Sequence, residues 1–244
     1  MKFNLSGQKL KTLRGIDFPE GITELDCSEN LLTSLEYCPD SVTDLECYMN
    51  KLTSLEYCPK LVTKLSCSSN KLTSLKYCPN TVIKLYCFDN LLTNLQYCPD
   101  SLKVLNCSMN ELTSLQYCPN SLIHLDCSYN SLRTLRYSPN SLKYIDCTSN
   151  KLSSLQHCPI SVTTLECDNN PLSVEYQEKT IEQIHEINTC KSYKLGIRKL
   201  NTIISSIKIQ RQWRKYWYDT VDKNGINRYC KFALNESQSN GIIV

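Results

Sequence analysis

Apolar and polar residues alternate in a pattern that returns every twenty residues from Gly21 to about residue 174. Within each unit, leucine or isoleucine at position 5 and cysteine at position 7 alternate with variable residues at positions 4, 6 and 8. This alternation predicts a short strand with one buried face and one face in solvent. Because a strand this short cannot bury its own face, we expect neighbouring units to stack around one continuous core.

Single positions that never or rarely change fix the register of the repeat. The units begin at Gly21, Ser41, Leu61, Thr81, Ser101, Ser121, Ser141 and Ser161. Position 10 is asparagine in all eight units, from Asn30 to Asn170. An amide side chain at this point satisfies backbone groups that a turn after the strand leaves unpaired. We therefore expect a buried ladder of asparagines with a structural role.

Proline ends the second half of each unit, at position 19. Proline fixes φ and interrupts a regular helix, so the second half is expected to be extended or 3-10 structure. Tyrosine stands two residues before this proline in six consecutive units, and its regular spacing predicts packing along an outer ridge. These residues are Tyr37, Tyr57, Tyr77, Tyr97, Tyr117 and Tyr137.

The segment [VL]-x-x-L-x-C-x-x-N-x-L resembles the defining segment of leucine-rich repeats, L-x-x-L-x-L-x-x-N/C-x-L, with cysteine in place of the third leucine. Its twenty-residue length and its L-T-S-L-x-Y-C-P-x-S-L wording are similar to the short repeats of bacterial effector proteins. The abundance of cysteine resembles repeat proteins of large DNA viruses. The resemblance implies a leucine-rich-repeat solenoid, or horseshoe, with a parallel β-sheet on its concave face and extended or 3-10 structure on its convex side.

The repeat pattern also divides the chain. Residues 1–20 fit the pattern loosely and are expected to form an amino-terminal cap, and residues 21–174 form eight repeats, of which the last is incomplete. Residues 175–234 are predicted to be a basic helical segment, followed by a loose tail over 235–244. Isoleucines at helical spacing (Ile181, Ile184 and Ile187) predict a first helix that caps the solenoid, and a second helix is expected from about Ile197 to Val221.

The lack of long apolar runs and the cysteine usage predict an intracellular, cytoplasmic protein without a membrane span. The net charge is +3, and no apolar run is long enough for a signal-peptide core or a spanning helix. Fourteen of the sixteen cysteines occupy positions 7 and 18, where Phe18 and Ser138 replace cysteine without disturbing the repeat. We therefore expect reduced thiols that pack as small apolar side chains, with no bound metal.

Catalytic motifs are missing from the sequence. The chain has three histidines and no phosphate-binding loop, G-x-S-x-G or H-E-x-x-H segment. His124 stands near Asp126 on a predicted strand, but no motif supplies a nucleophile beside it. We expect a non-enzymatic protein without a cofactor.

The variable strand positions instead predict a partner-binding surface on the concave face. Exposed aromatic residues with a polar rim suit protein recognition. We expect acidic ends around a central aromatic patch, and the candidate contacts are Tyr48, Tyr86, Phe88, Asp126, Tyr144 and Asp146. We therefore expect a protein-protein interaction scaffold. The alternative is a purely structural or self-associating protein whose aromatic residues only cover the sheet.

A second candidate surface lies in the basic segment, where 11 basic and 2 acidic residues fall between positions 191 and 231. The sequence IKIQRQWRKYWY resembles an IQ motif, but Lys215 replaces the usual glycine and Asp219 replaces the last basic residue. The resemblance implies a calmodulin-like partner, with nucleic acid a weaker candidate, and the alternative is burial in a small cap domain. The candidate contacts are Ile209, Gln210, Trp213, Arg214 and Trp217.

Overall fold

The computed structural model describes residues 1–220, in which nine short strands precede one helix. The end of the basic segment and the loose tail predicted over 235–244 lie outside these residues. The elements are β1 (Lys2–Asn4), β2 (Glu24–Asp26), β3 (Asp44–Glu46), β4 (Lys64–Ser66), β5 (Lys84–Tyr86), β6 (Val104–Asn106), β7 (His124–Asp126), β8 (Tyr144–Asp146), β9 (Thr164–Glu166) and α1 (Ile181–Thr220).

All nine strands form one parallel sheet in the order of the sequence. Each strand pairs with the next at the same position of the repeat, so Leu25 lies beside Leu45 and Leu125 lies beside Ile145. The register confirms the predicted stack of twenty-residue units around a solenoid with a parallel sheet. Because the register is fixed, equivalent side chains of successive repeats form straight rows.

The side chains that point into the core of the solenoid are shielded from solvent. Leu65 and Cys67 of β4 and the following turn have no exposed surface, and neither do Leu72 and Leu75 from the second half of the same unit. Burial of each leucine contributes roughly 2 kcal/mol relative to exposure. The cysteine at position 7 is smaller than leucine and occupies the core as the sequence predicts.

The predicted asparagine ladder is present in every repeat, and Asn50 illustrates its bonding. Its Nδ2 donates to the backbone carbonyls of Cys27, Cys47 and Tyr48 at 3.0 to 3.2 Å. Its Oδ1 accepts from the backbone N–H of Leu32 at 2.9 Å. Each asparagine therefore joins its own turn to the preceding repeat.

The second half of each unit contains no helix within the described residues, as the prolines predict. A turn closes it, in which the N–H of Cys38 donates to the carbonyl of Leu35 at 3.0 Å. Inside this turn, Ser34 Oγ accepts from the N–H of Glu36 at 3.0 Å. The hydroxyl at position 14 thus fixes the backbone just before the tyrosine.

The amino-terminal residues add a strand of their own. In β1, Phe3 pairs with Leu25, and the N–H of Leu10 donates to Asn30 Oδ1 at 2.9 Å. The rings of Phe3 and Phe18 meet edge to face with centroids 5.7 Å apart. The first twenty residues therefore add one strand to the sheet and pair with the first asparagine of the ladder, Asn30.

One continuous helix replaces the two helices expected near the carboxy terminus. The helix runs through Gly196, because a single glycine costs only about 1 kcal/mol in a helix and does not end it. Thr180 and Gln183 form a reciprocal capping box at the start of α1. The prediction of two helices was therefore wrong, whereas helical structure is confirmed over residues 181–220.

The chain divides into two compact units, at 1–188 and from residue 189 onwards. Within the first unit, the opening turns of α1 cover the last repeats, because Ile184 is 2% exposed and packs against the core. Asn188 Nδ2 donates to the carbonyl of Leu155 at 2.9 Å, and Tyr176 donates through its hydroxyl to Asn188 Oδ1 at 3.0 Å. The beginning of α1 is thus the carboxy-terminal cap of the solenoid.

Candidate functional site

The concave face consists of the strand side chains that point away from the core, at positions 4 and 6, together with positions 8 and 9 of the following turn. Along position 6, the sheet register places Ser66, Tyr86, Asn106, Asp126 and Asp146 side by side on successive strands. Adjacent strands are about 4.8 Å apart, so side chains from three repeats meet within roughly 10 Å. One binding partner can therefore contact several repeats at once.

The aromatic candidates lie near the middle of this face. Tyr86 ends β5 and Phe88 follows two residues later, so both belong to the same repeat. Phe88 is 37% exposed, whereas Tyr48 and Tyr86 are partly buried. Between Tyr48 and Phe88 lies Ser68, which has no exposed surface and whose Oγ is without a hydrogen-bond partner. The aromatic side chains of Tyr48 and Phe88 therefore flank the buried hydroxyl group of Ser68.

Position 9 adds apolar side chains that sequence reasoning missed. Met49, Met109 and Tyr129 are 54%, 52% and 59% exposed. Their backbones have φ values of 51° to 52°, which turns the chain out of the strand immediately after position 8. The signal was available in the sequence, because position 9 varies from repeat to repeat as much as positions 4, 6 and 8.

The sequence predicts that side chains at position 8 face solvent, but the serines at this position are buried. Ser128 Oγ donates to Asp126 Oδ1 at 2.7 Å, and Ser108 Oγ donates to Asn106 Oδ1 at 2.7 Å. These short side chains fold back onto position 6 and leave the solvent. The buried serines at this position are Ser28, Ser68, Ser108 and Ser128.

Charges on the concave face change sign along the repeats. Lys64 donates to Asp44 Oδ2 at 3.0 Å and to Glu46 Oε1 at 3.3 Å. Desolvation lowers the pKa of Lys64, but these hydrogen bonds outweigh it and leave the pKa raised. Lys84 lies beside Lys64 in the sheet register, and its side chain is exposed. The carboxylates of the second repeat are therefore neutralised locally, while Lys84 presents a cation next to Tyr86.

Tyr144 belongs to a stacked pair with a fixed hydroxyl. Its ring is parallel to that of His124, with centroids 4.1 Å apart and an interplanar angle of 5°. Its hydroxyl donates to Glu166 Oε1 at 2.9 Å. Desolvation and this hydrogen bond raise the pKa of Tyr144 above its ordinary value. The phenol consequently stays protonated and is held as a donor, which is the opposite of what a catalytic base requires.

The two aspartates predicted as site residues also have structural bonds. Asp126 Oδ1 accepts from the N–H and the hydroxyl of Ser128, and Asp146 Oδ1 accepts from the N–H of Thr148 at 2.9 Å. Both form the side-chain turn that aspartate favours after a strand. Their second oxygens are free of this turn, so each carboxylate can support the backbone and meet a partner.

The cysteine rows belong to the core. The fifteen cysteines among residues 1–220 are free thiols. Burial raises the pKa of the Cys27 thiol to about 12, and the thiol of Cys107 donates to the carbonyl of Asp126 at 3.4 Å. Within the described residues, no three histidine, cysteine or carboxylate side chains are grouped to hold a metal ion. The thiols at positions 7 and 18 of the repeats therefore lie in or against the core, where burial favours their protonated form.

The predicted IQ-like contacts lie on α1, which includes Ile209, Gln210, Trp213, Arg214 and Trp217. Helical backbone is therefore confirmed at these positions. Their side chains lie outside the described part of the chain, and the predicted contacts remain a sequence prediction.

Comparison with solved structures places this geometry among known proteins. YopM from Yersinia enterocolitica WA-314 superposes with a TM-score of 0.61 at 32% identity, over 69% of this chain and 38% of that one. The chain is a leucine-rich-repeat protein. YopM from Yersinia pestis, a leucine-rich effector protein, matches with a TM-score of 0.56 at 29% identity, over 64% of this chain and 45% of that one.

A third similar leucine-rich-repeat structure is the functional domain of InlJ from Listeria monocytogenes, which includes a cysteine ladder. It matches with a TM-score of 0.55 at 26% identity, over 67% of this chain and 37% of that one. This chain thus spans less than half the length of these structures. Neither a protein-family profile nor a curated protein sequence matches it.

Leucine-rich-repeat solenoids are a fold typical of binding scaffolds, because stacked repeats create an extended binding surface. Within residues 1–220, no helix is both long and apolar enough to cross a bilayer.

Proposed function

We propose that this leucine-rich-repeat protein is a non-enzymatic scaffold that binds another protein on its concave face. The supporting observation is the exposure of apolar side chains at positions that the repeat leaves free to vary. Phe88, Met49, Met109 and Tyr129 each have more than a third of their surface in water. Exposed aromatic and methionine side chains are enriched in protein interfaces, where burial of a few of them supplies most of the affinity.

The charges around this patch define the partner further. Lys84 beside Tyr86 suits an acidic group, and the carboxylates of Asp126, Asp146 and Glu166 suit basic groups two to four strands away. At about 4.8 Å per strand, these two sites are separated by roughly 10 to 20 Å. A partner segment with an apolar centre between an acidic and a basic end fits this layout.

The experiment is quantitative affinity purification with three full-length forms of the protein. The test variant carries Tyr86→Ala and Phe88→Ala. The control carries Leu91→Ala and Ile160→Ala, which remove apolar side chains that are 44% and 73% exposed at positions other than 4, 6, 8 and 9. A partner that is retained by wild type and control but lost from the test variant supports the proposal. Partners retained equally by all three forms contradict it.

The basic helix offers a second candidate function, as an adaptor for a calmodulin-like protein or for nucleic acid. It rests on the partial IQ resemblance of Ile209, Gln210 and Arg214 and on the placement of these residues in α1. Titration of the whole protein with calmodulin, followed through tryptophan fluorescence, tests the first partner. Nucleic acid binding would weaken steeply with salt as counterions are released. No change in fluorescence and no salt-dependent binding would eliminate this candidate.

A further inference from the structure

Six tyrosines at position 17 have a backbone conformation that tyrosine does not favour. Their φ values lie between 67° and 76°. Each is the third residue of the turn closed by the N–H of position 18, the place where turns with positive φ select glycine or asparagine. A bulky side chain with positive φ is strained, so backbone preference does not explain this residue. We call this row the tyrosine ridge: Tyr37, Tyr57, Tyr77, Tyr97, Tyr117 and Tyr137.

Burial does not explain the tyrosine ridge either. We expected these rings to pack along the outside of the repeats, but their side chains are 49% to 58% exposed. Position 9 provides the comparison, because its φ values are also positive while its residue changes from Glu29 to Met49 to Ser69 in the first three repeats. Positive φ is therefore compatible with varied residues in this solenoid, whereas the ridge keeps tyrosine in six consecutive units.

We infer that the tyrosine ridge is an interface at which two copies of this chain pair in antiparallel orientation. Half-exposed tyrosines each leave on the order of 100 Å² in water, so the six rings present roughly 600 Å² per copy. A stable interface buries about 800 Å² per partner, an area that the ridge and its flanking residues supply. The same surface of both copies is used, as a two-fold dimer requires.

The charges next to the ridge favour the antiparallel orientation. Position 16 is acidic at one end, with Glu36 and Glu56, and basic further along, with Lys76 and Arg136. The Lys76 ammonium and the Arg136 guanidinium lie 4.9 Å and 5.3 Å from the ring centres of the tyrosines that follow them. The charges therefore sit at the ridge surface itself.

A two-fold axis between the third and fourth repeats places Tyr77 of one copy opposite Tyr97 of the other. Counting outward along the repeats, Glu36 then faces Arg136 at both ends of the interface. In a parallel alignment, each charged residue would instead face the same residue of the other copy, and like charges would repel. The pairing uses the non-strand half of the repeat and is independent of the concave face proposed to bind another protein.

The test is the molar mass of the full-length protein measured by sedimentation equilibrium from micromolar to near-millimolar concentration, in a reducing buffer. The expected result is a reversible transition from 28.1 kDa to twice that mass. The variant Tyr77→Asn with Tyr97→Asn should weaken this association at least about tenfold while remaining folded, because asparagine readily adopts positive φ. The matched control is Met49→Asn with Met109→Asn, which replaces exposed side chains of similar φ away from the ridge. It should leave the association unchanged.

Orientation is tested by charge exchange. Glu36→Arg and Arg136→Glu should each weaken the dimer, and the combination should restore it, because the exchanged charges face each other again only in the antiparallel arrangement. A chain that stays monomeric throughout overturns the inference. Association that survives the tyrosine variant also overturns it, and loss of association in the methionine control does so as well. Failure of the combined variant to recover would overturn the antiparallel orientation.

Discussion

Asn90 Oδ1 accepts a hydrogen bond from the backbone N–H of Leu72, eighteen residues earlier, at 2.9 Å. The Nδ2 of the same side chain donates to the carbonyls of Cys67, Cys87 and Phe88. One amide therefore satisfies four backbone groups in two adjacent repeats. Because buried backbone groups are costly to leave unpaired, this side chain stabilises the stacking of the solenoid directly.

Replacement of this asparagine tests the ladder. Asn90→Ala should lower the free energy of unfolding by about 3 to 5 kcal/mol, since it leaves several buried polar groups without partners. The control is Asn80→Ala, an exposed asparagine at position 20, which should change stability by less than about 0.5 kcal/mol. Urea unfolding followed by circular dichroism provides the measurement. Equal midpoints for both variants would contradict the structural role of the ladder.

An inward cysteine should not tolerate a charge. Cys107 has no exposed surface, so Cys107→Asp should destabilise the protein by roughly 3 kcal/mol or more. Cys107→Ala removes the thiol without adding a charge and should cost less. The two variants are compared by urea unfolding in reducing buffer. A smaller loss for aspartate than for alanine would show that position 7 is not in the dry core.

The buried thiols also predict sensitivity to alkaline pH. Burial raises the pKa of the Cys78 and Cys118 thiols to about 12, whereas the pKa of a thiol in the unfolded chain lies near its ordinary value of 9.0. The folded chain thus keeps protons that the unfolded chain releases, so stability is complete below pH 9 and falls as the pH rises toward 12. Each such thiol contributes a slope of about 1.4 kcal/mol per pH unit in this window.

Urea unfolding under reducing conditions at pH 7 and pH 10 measures this effect. The midpoint should fall at pH 10, and it should fall less in a variant with Cys107→Ala and Cys127→Ala. Identical midpoints at both pH values would mean that these thiols are not buried as protonated groups.

The carboxy-terminal cap begins at Thr180, whose side chain and that of Gln183 satisfy each other's backbone N–H groups. Thr180→Ala should destabilise the protein by about 1 kcal/mol, while Thr180→Ser keeps the hydroxyl and should be nearly neutral. Thermal unfolding of the two variants checks this difference. A loss of similar size in both variants would show that the hydroxyl is not the capping group.

The periodic positions of the fold were predictable from the sequence because one chemical requirement recurs at each of them. Leu65 and Cys67 alternate with polar residues as an inward row must, and Asn70 marks the turn after the strand. The continuous helix was not predictable in this way, since Gly196 lowers helical preference by an amount that other residues of a long helix offset.

The sequence predicted which strand side chains lie on the concave face, but it did not predict the conformations at positions 8 and 9. Alternation along the strand correctly placed Tyr86 and Asp126 on one face, because a strand has a strict period of two. It failed at Met109, where a positive φ ends that period, and at Ser128, whose hydroxyl bonds back to Asp126. Local backbone geometry and short-range hydrogen bonds decide these positions, and neither follows from hydrophobic patterning.

The most direct measurement of the proposed scaffold function is the dissociation constant of a purified partner for wild type, for Phe88→Ala and for Leu91→Ala, by isothermal titration calorimetry. Phe88 is an exposed aromatic residue of the concave face, and truncation of such an anchor should weaken binding by about tenfold or more. Leu91 lies outside positions 4, 6, 8 and 9 and has a similar exposed fraction, so its truncation should leave the affinity unchanged. Equal affinities for wild type and Phe88→Ala, or a larger loss for Leu91→Ala, would contradict binding through the concave face.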